Sequence, residues 1–290
     1  MRLVTGDATL SKELLPRLIF NFETMIKTNF DASRGLYYNT DNRDGMEISI
    51  SGNGGRKAFR PTLNSYQYGE AVAISKIAGS MGQDDVADRF RDIASKLRDS
   101  IDKNLWDPIS KFYKVLPILP KKTATATAAA AAVVSGFAVA SLGASGSSLD
   151  AITETAPLFD VRELIGYTPW YFHIPTDSDK LEAWLEVSNP KGFAAQKGLT
   201  TAEQRHPQFS LEYDWLTVGK RGSHECKWNG PVWPMATSMT LTALANMLNT
   251  VEGEKQRFVS KGDYYRILRI YALSHRRRVT QVSAAGVEVN

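Results

Sequence analysis

A single cysteine, Cys226, occurs among the 290 residues, so no intrachain disulfide can form and no cysteine-rich zinc cluster exists. The four histidines, His173, His206, His224 and His275, never fall four apart, the spacing a helical zinc site needs, so no metal centre is indicated. Gly52-Asn-Gly-Gly55 lacks the lysine and the helix of a phosphate-binding loop, and no Gly-x-Ser-x-Gly elbow occurs. Net charge is only +4, from 35 basic and 31 acidic residues spread along the chain, which is not the footprint of a nucleic-acid surface. The one basic run, residues 274–279, reads as a solvated helix end. The first seven residues lack the apolar core of a signal peptide, so a reducing, cytoplasmic setting is the expectation. Cys226 lies two residues from His224; a thiol nucleophile is one reading and a small buried side chain the preferred one.

What is present is an ordinary globular composition, 43% hydrophobic and 23% charged, in a chain long enough for one large domain or two small ones. Apolar residues recur at helical spacing over residues 17–28, with Pro16 placed just before the helix. A polar loop over residues 29–62 follows, longer than most connections and therefore a functional candidate. Residues 64–81 and 86–105 read as a helical hairpin, broken at Gly82 and capped by Asp84 or Asp85. Residues 111–119 have an extended character. Asp177 is expected to cap a short helix through Trp184, Pro234 to open a helix over residues 235–248, and Asp263 to cap a last one through Ala272. Residues 123–148 carry no charge and are rich in Ala, Thr, Ser and Gly. That stretch is long enough to span a bilayer but weakly apolar, so it is read as a low-complexity insertion and no membrane span is expected.

Two carboxylates, Asp44 and Glu47, stand three apart in the 29–62 loop, ahead of a helix. A capping box or a surface ion pair would give the same spacing. Elsewhere aromatic residues adjoin amides and carboxylates in loops, as at Trp170, Trp228-Asn229 and Trp233. Sugars offer apolar ring faces and dense hydroxyls, which suits such a set; tryptophans filling the core between helices are the competing reading.

Several collinear blocks resemble one family. They are Arg43-Asp-Gly-Met-Glu47 with Ser49 and Gly52, Arg60-Pro-Thr-Leu-Asn-Ser-Tyr66, residues 161–170, Gly192-Phe193, residues 200–203, Trp228-Asn-Gly-Pro-Val-Trp-Pro234 and residues 236–246. Together they are similar to the (α/α)6-barrel glycoside hydrolases of the family 63-like group, which includes mannosylglycerate hydrolase and the processing α-glucosidases. The resemblance implies an all-α (α/α)6 toroid of helical hairpins. Residues 1–120 and 151–278 would be two parts of it, 121–150 an insertion and 279–290 an unpatterned tail.

The resemblance also implies inverting hydrolysis of an α-linked glycoside by two carboxylates, with a carbohydrate as the partner and no cofactor or metal. Glu47 falls at the general acid, with Asp44 as the alternative acid or a hydroxyl ligand. Arg43 and Arg60 would hold Asp44 or a hydroxyl, and Asn64 and Tyr66 belong to the same block. Trp228, Asn229 and Trp233 would line the sugar subsite; Arg162, Glu163, Tyr167 and Trp170 are further candidates. The family's general base lies in a Glu-Asn-Leu/Tyr-Asn/Asp-Pro stretch beyond the block matching residues 271–276. Residues 277–290 contain no such motif, so the expectation is a truncated toroid, and a carbohydrate-binding remnant without hydrolysis is the alternative to an enzyme.

Overall fold

Helices α2 (Pro61–Gly79) and α3 (Asp84–Leu105) form the hairpin on which the rest is arranged. Ala87, Phe90, Ala94, Leu97, Ile101 and Leu105 of α3 are buried at i, i+3 and i+4 intervals, the single apolar stripe that the sequence predicts. Each large side chain on that stripe contributes about 1.5–3 kcal/mol of burial. Ser75 of α2 donates to the Ala87 carbonyl at 2.7 Å, stitching the pair at its turn. The turn closes through Gly82 at φ +71°, a conformation that favours glycine. Neither Asp84 nor Asp85 caps α3: Gln83 holds that position without a side-chain bond, and the two acids sit in the first turn, where the helix dipole favours them.

The computed structural model describes residues 8–52, 55–118, 157–176, 178–211, 226–250 and 257–275. The insertion at 123–148, the tail at 279–290 and the cap at Asp177 lie outside the described residues.

Helix α1 (Thr9–Asn29) packs on α2 and starts earlier than the sequence reading placed it, so Pro16 falls inside the helix. Its missing N–H leaves the carbonyl of Lys12 unpaired, and Lys12 is exposed, so water can satisfy that group. The 29–62 loop is also more structured than its composition suggests. Strands β1 (Phe30–Asp31), β2 (Leu36–Asn39) and β3 (Ala58–Phe59) pair antiparallel. After β4 (Trp106–Asp107) and β5 (Phe112–Tyr113), which pair with each other, β6 (Leu116–Pro117) adds to β3. All four residues of β2 are buried, so it shows no alternation to mark it as a strand.

Beyond residue 157 a 3-10 turn (Leu164–Tyr167) leads into the short α4 (Thr168–Tyr171), and a 3-10 segment spans Ser178–Val187. Strands β7 (Ala194–Ala195) and β8 (Gly198–Leu199) make a two-stranded ribbon. Helix α5 (Pro234–Thr250) packs on α4 and on α6 (Lys261–Ser274). Pro234 opens α5, where its missing donor costs nothing. The cap of α6 is Ser260, not Asp263: Ser260 accepts the Asp263 N–H while Asp263 accepts the Ser260 N–H, a reciprocal capping box. Among the described residues no helix is long and apolar enough to cross a membrane.

Candidate active site

The turn between β2 and β3 is built from its own polar groups. The Asp41 carbonyl accepts the N–H groups of Asp44 (2.9 Å) and Met46 (3.0 Å), winding a 3-10 turn (Asn42–Asp44) that Gly45 ends at φ +71°. Three residues later Ile48 takes φ +56°, a conformation that costs a β-branched residue of order 1–3 kcal/mol. Its carbonyl accepts the Trp228 N–H at 3.2 Å, so the strained residue is held from the far side of the site.

Arg60 holds the same turn from inside. It is fully buried at the start of α2. Its Nε donates to Asp44 Oδ2 at 3.0 Å, its Nη2 to Ser49 Oγ at 3.3 Å, and the same nitrogen lies 4.0 Å from Met46 Sδ. Thr62 Oγ1 donates to the same Asp44 oxygen. Burial raises the pKa of Asp44; the Arg60 charge and hydrogen bonds from Thr62, Arg60 and Asn39 oppose it, and the balance stays above the usual carboxylate value. Arg60 Nη1 is buried with no hydrogen-bond partner among the described residues.

Two recesses flank this turn. A narrow cavity of about 20 Å³, room for one water, is lined by Asp44, Met46, Thr62, Tyr66, Trp228 and Met239, among others. A wider cleft of about 490 Å³ is lined by Asp41, Ile48, Ser49, Gln208 and Asn229. Met46 faces one recess and Ile48 the other, so Glu47 lies on the backbone between them. Trp228 stacks nearly parallel on Trp233, centroids 5.9 Å apart at 16°, and its indole N–H is buried without a partner among the described residues. Tyr66, which meets Phe172 edge-on and Met239 through its hydroxyl, has its pKa pushed up to about 12 by burial and then by the Asp44 and Tyr171 charges.

Asp44, Tyr66, Trp228, Asn229 and Arg60 therefore gather around the two recesses. Glu47 is half-buried and makes no hydrogen bond or ion pair among the described residues. Arg43 is exposed and lines neither recess. Asn64 does not face a ligand: its amide oxygen accepts the Tyr37 N–H at 2.8 Å and its nitrogen donates to the carbonyls of Tyr37 and Arg60, each at 2.9 Å. That fully used amide ties β2 to α2. Trp170 is a core residue, 4% exposed, packed against Trp106, Tyr113, Tyr167 and Trp184. Tyr167 stacks on Trp184 and donates to the Ala183 carbonyl. Trp233 stands behind Trp228, its N–H bonded to the Lys227 carbonyl at 2.7 Å, and lines neither recess. Arg162 and Glu163 serve ion pairing and loop closure. Thr62 and Asp41, which sequence reading passed over, touch the site; Thr62 was findable as the second residue after Arg60, at the helix start. Cys226 is half-buried, and His224 lies outside the described residues. Among the described residues no group of three or more histidine, cysteine or acidic side chains is placed to hold a metal ion.

The mainly helical scaffold of hairpins fits a six-hairpin glycosidase. The chain belongs to the family of the mannosylglycerate hydrolase MGH1-like glycoside hydrolase domain, whose profile matches residues 1–283. Among solved structures, one described as a sialidase is 32% identical over 94% of this chain and 21% of its own, with a TM-score of 0.73. The family 63 mannosylglycerate hydrolase of Thermus thermophilus, in complex with Tris, is 12% identical with a TM-score of 0.57, over 91% of this chain and 62% of its own. The same enzyme with Tris and D-glycerate gives a TM-score of 0.55 at 12% identity, over 89% of this chain and 61% of its own. The fold is thus the helical (α/α)6 class, and the chain spans only part of each of these structures. No curated protein matches the sequence.

Proposed function

We propose that this chain carries the acid side of an inverting glycosidase site that cleaves a small α-linked glycoside. Glu47 protonates the glycosidic oxygen as its bond to the anomeric carbon breaks. A water attacks that carbon from the opposite face and gives its proton to a second carboxylate, about 6.5–9.5 Å from the first. Asp44 is not the proton donor in this reading. Protonating it would leave the buried Arg60 guanidinium without its counter-charge, so Asp44 with Thr62 holds a sugar hydroxyl instead. Trp228 and Tyr66 line the narrow cavity beside Asp44, which has room for one hydroxyl of the sugar and not for its ring.

The observation that carries this reading is the clamp on residues 44–49. Arg60 grips Asp44, Met46 and Ser49 while Trp228 grips Ile48, and Glu47, in their midst, alone among the site's carboxylates has no partner among the described residues. Relatives described as a mannosylglycerate hydrolase and a sialidase make α-mannosides and sialosides the first substrates to try. The test is hydrolysis of an aryl α-glycoside panel, with the anomer released first read by proton NMR. A β-anomer from an α-substrate, lost in Glu47→Gln, is the expected result; retention of the α-anomer overturns inversion, and full activity in Glu47→Gln overturns its role.

A second reading, sugar binding without hydrolysis, draws on one fact. Asp41 and Asp44, the carboxylates lining the two recesses, are both already engaged by neighbours. Sugar-dependent thermal stabilisation with no turnover on any glycoside would favour it.

A further inference from the structure

Three of the seven methionines line the narrow cavity beside Asp44: Met46, Met235 and Met239. They differ in what can reach them. Met46 is 2% exposed, with its sulfur against the Arg60 guanidinium, so it is shielded from solvent. Met235 and Met239 stand four residues apart on one face of α5, with Ala236 and Thr240, which line the same cavity. Met235, at the start of the helix, is 53% exposed, and Met239 is half-buried. Tyr66, which reaches the surface, donates its hydroxyl to Met239 Sδ at 3.5 Å. A thioether sulfur is a weak acceptor, so this phenol has a poor partner beside a space that holds one water.

One oxygen added to Met239 fits that arrangement. Hydrogen peroxide supplies it: the sulfur lone pair forms the S–O bond, the O–O bond breaks, and the second oxygen leaves as water with both peroxide protons. The new oxygen is about the size of the water the cavity admits, and it is a far better acceptor for the Tyr66 O–H than the thioether was. A sulfoxide in a packed core is disruptive because its polar oxygen goes unpaired; here a donor already faces the sulfur. We infer that Met239 is a sulfoxidation site, whose oxide fills the cavity beside Asp44 and takes the Tyr66 hydroxyl. On the glycosidase reading above, that oxygen occupies the place of the sugar hydroxyl that Asp44 and Thr62 hold. Oxidation then switches hydrolysis off, and methionine sulfoxide reductases restore it. The oxidation site itself does not depend on that reading.

The test is hydrogen peroxide treatment of the full chain, with peptide mass mapping of each methionine. Met235 and Met239 should gain oxygen at least tenfold faster than the buried Met46 and Met247. To read Met239 alone, Met25, Met81 and Met235 are replaced by leucine, which leaves it the one described methionine that is not buried. In that chain, oxidation should lower the melting temperature by about 2–4 °C more when Tyr66→Phe is also present, because the oxide then lacks its donor. On a glycoside that the untreated chain hydrolyses, the rate should fall at least tenfold in step with the Met239 oxide. The two reductases together, one for each epimer, should return it. Met239→Leu, whatever its own starting rate, should keep that rate through peroxide treatment. Met239 oxidised no faster than Met46, or equal melting losses with and without the Tyr66 hydroxyl, overturns the inference. A rate that stays level as Met239 oxidises overturns the switch, as does a loss that persists in Met239→Leu, which would belong to another group such as the half-buried Cys226. Failure to hydrolyse any glycoside counts against the proposed reaction alone, because the mapping and the melting temperatures still decide the oxidation site.

Discussion

Two regions of this molecule gather charge, and they use it in opposite ways. Around residues 160–205, Glu203 accepts the Arg162 N–H (2.8 Å) and Arg162 Nη1 (2.9 Å) and forms an ion pair with Arg205, whose Nε lies 3.2 Å away. Glu186 takes Arg205 Nη2 and Asn189. Arg162 also donates to the Ser110 carbonyl at 2.8 and 3.2 Å, and Glu163 is held by the backbone N–H and hydroxyl of Ser51. Each of these three carboxylates is matched. Around residues 41–60 the matching stops short: Asp44 is paired, but Glu47, one nitrogen of Arg60 and the Trp228 indole N–H have no partner among the described residues. What sets the 41–60 turn apart is unused hydrogen-bonding capacity beside a cavity; in the other region the unpartnered Trp184 indole N–H lies in the aromatic core instead.

The sharpest way to break this comparison is at Glu47. Glu47→Gln should lower hydrolysis by about 10²–10⁴-fold, the usual contribution of a general acid, with stability within about 0.5 kcal/mol because no partner is lost. Rates on the responsive aryl glycoside and urea unfolding on the same preparation check both halves. A variant that loses stability and rate together would place Glu47 with the matched charges.

Asp44 tests the border between the regions. Asp44→Asn leaves the Arg60 guanidinium buried without a counter-charge and should cost about 3–5 kcal/mol of stability. Replacing Arg60 by Met in the same chain should restore part of it, measured as a double-mutant cycle in urea. In the other region Arg162→Ala should cost about 3 kcal/mol, the low end of that range, because Arg205 still pairs with Glu203. KM for the responsive aryl glycoside should not move in Arg162→Ala; a large KM change would bring that region into the site.

Sequence reading found the fold class, for physical reasons that also explain its misses. The stripe on α3 and the Pro234 helix start follow from periodicity and from the backbone limits of proline, which are local properties. The block from Arg43 to Glu47 falls in the turn between β2 and β3, part of it in the 3-10 segment Asn42–Asp44. Local pattern does not record which partners arrive from afar. Asn64 is spent on Tyr37, 27 residues away, and Trp170 on an aromatic core drawn from residues 106–184, so both look functional in sequence and are structural in space. The strand β2 was hidden because all of it is buried. The Ile48 conformation had no sequence signal at all, since isoleucine is a residue that φ +56° disfavours.

That strain gives a smaller prediction. Ile48→Gly should relieve the disfavoured conformation and change stability by about 1 kcal/mol in the stabilising direction, the strain gained back exceeding the lost side-chain contacts. The same change should lower the hydrolysis rate, because glycine no longer fixes the backbone beside Glu47. Stability and activity moving the same way would show that the conformation at Ile48 does not serve the site.

The smallest expected effect is at Asp107, in the β4–β5 turn, where a carboxylate is fully matched yet close to solvent. Burial raises its pKa, but hydrogen bonds from Ser110, Lys114 and the Ile109 N–H, with the Lys114 charge, outweigh it and bring the value down to about 2 from 3.8. A carboxylate whose folded pKa lies below its unfolded one stabilises the fold above the unfolded value and loses that contribution as pH falls through the folded value. Asp107 should therefore contribute fully above about pH 4 and progressively less down to about pH 2. Asp107→Asn keeps the size and most acceptor capacity but not the charge, so it should be less stable than the parent at pH 7, by a gap that closes between pH 4 and 2. Urea midpoints at half-unit steps across that window read it directly. A gap that stays constant would mean that Ser110 and the Ile109 N–H, which an amide oxygen can still receive, hold the turn without help from the Lys114 charge, and that matching there is a matter of hydrogen bonds alone.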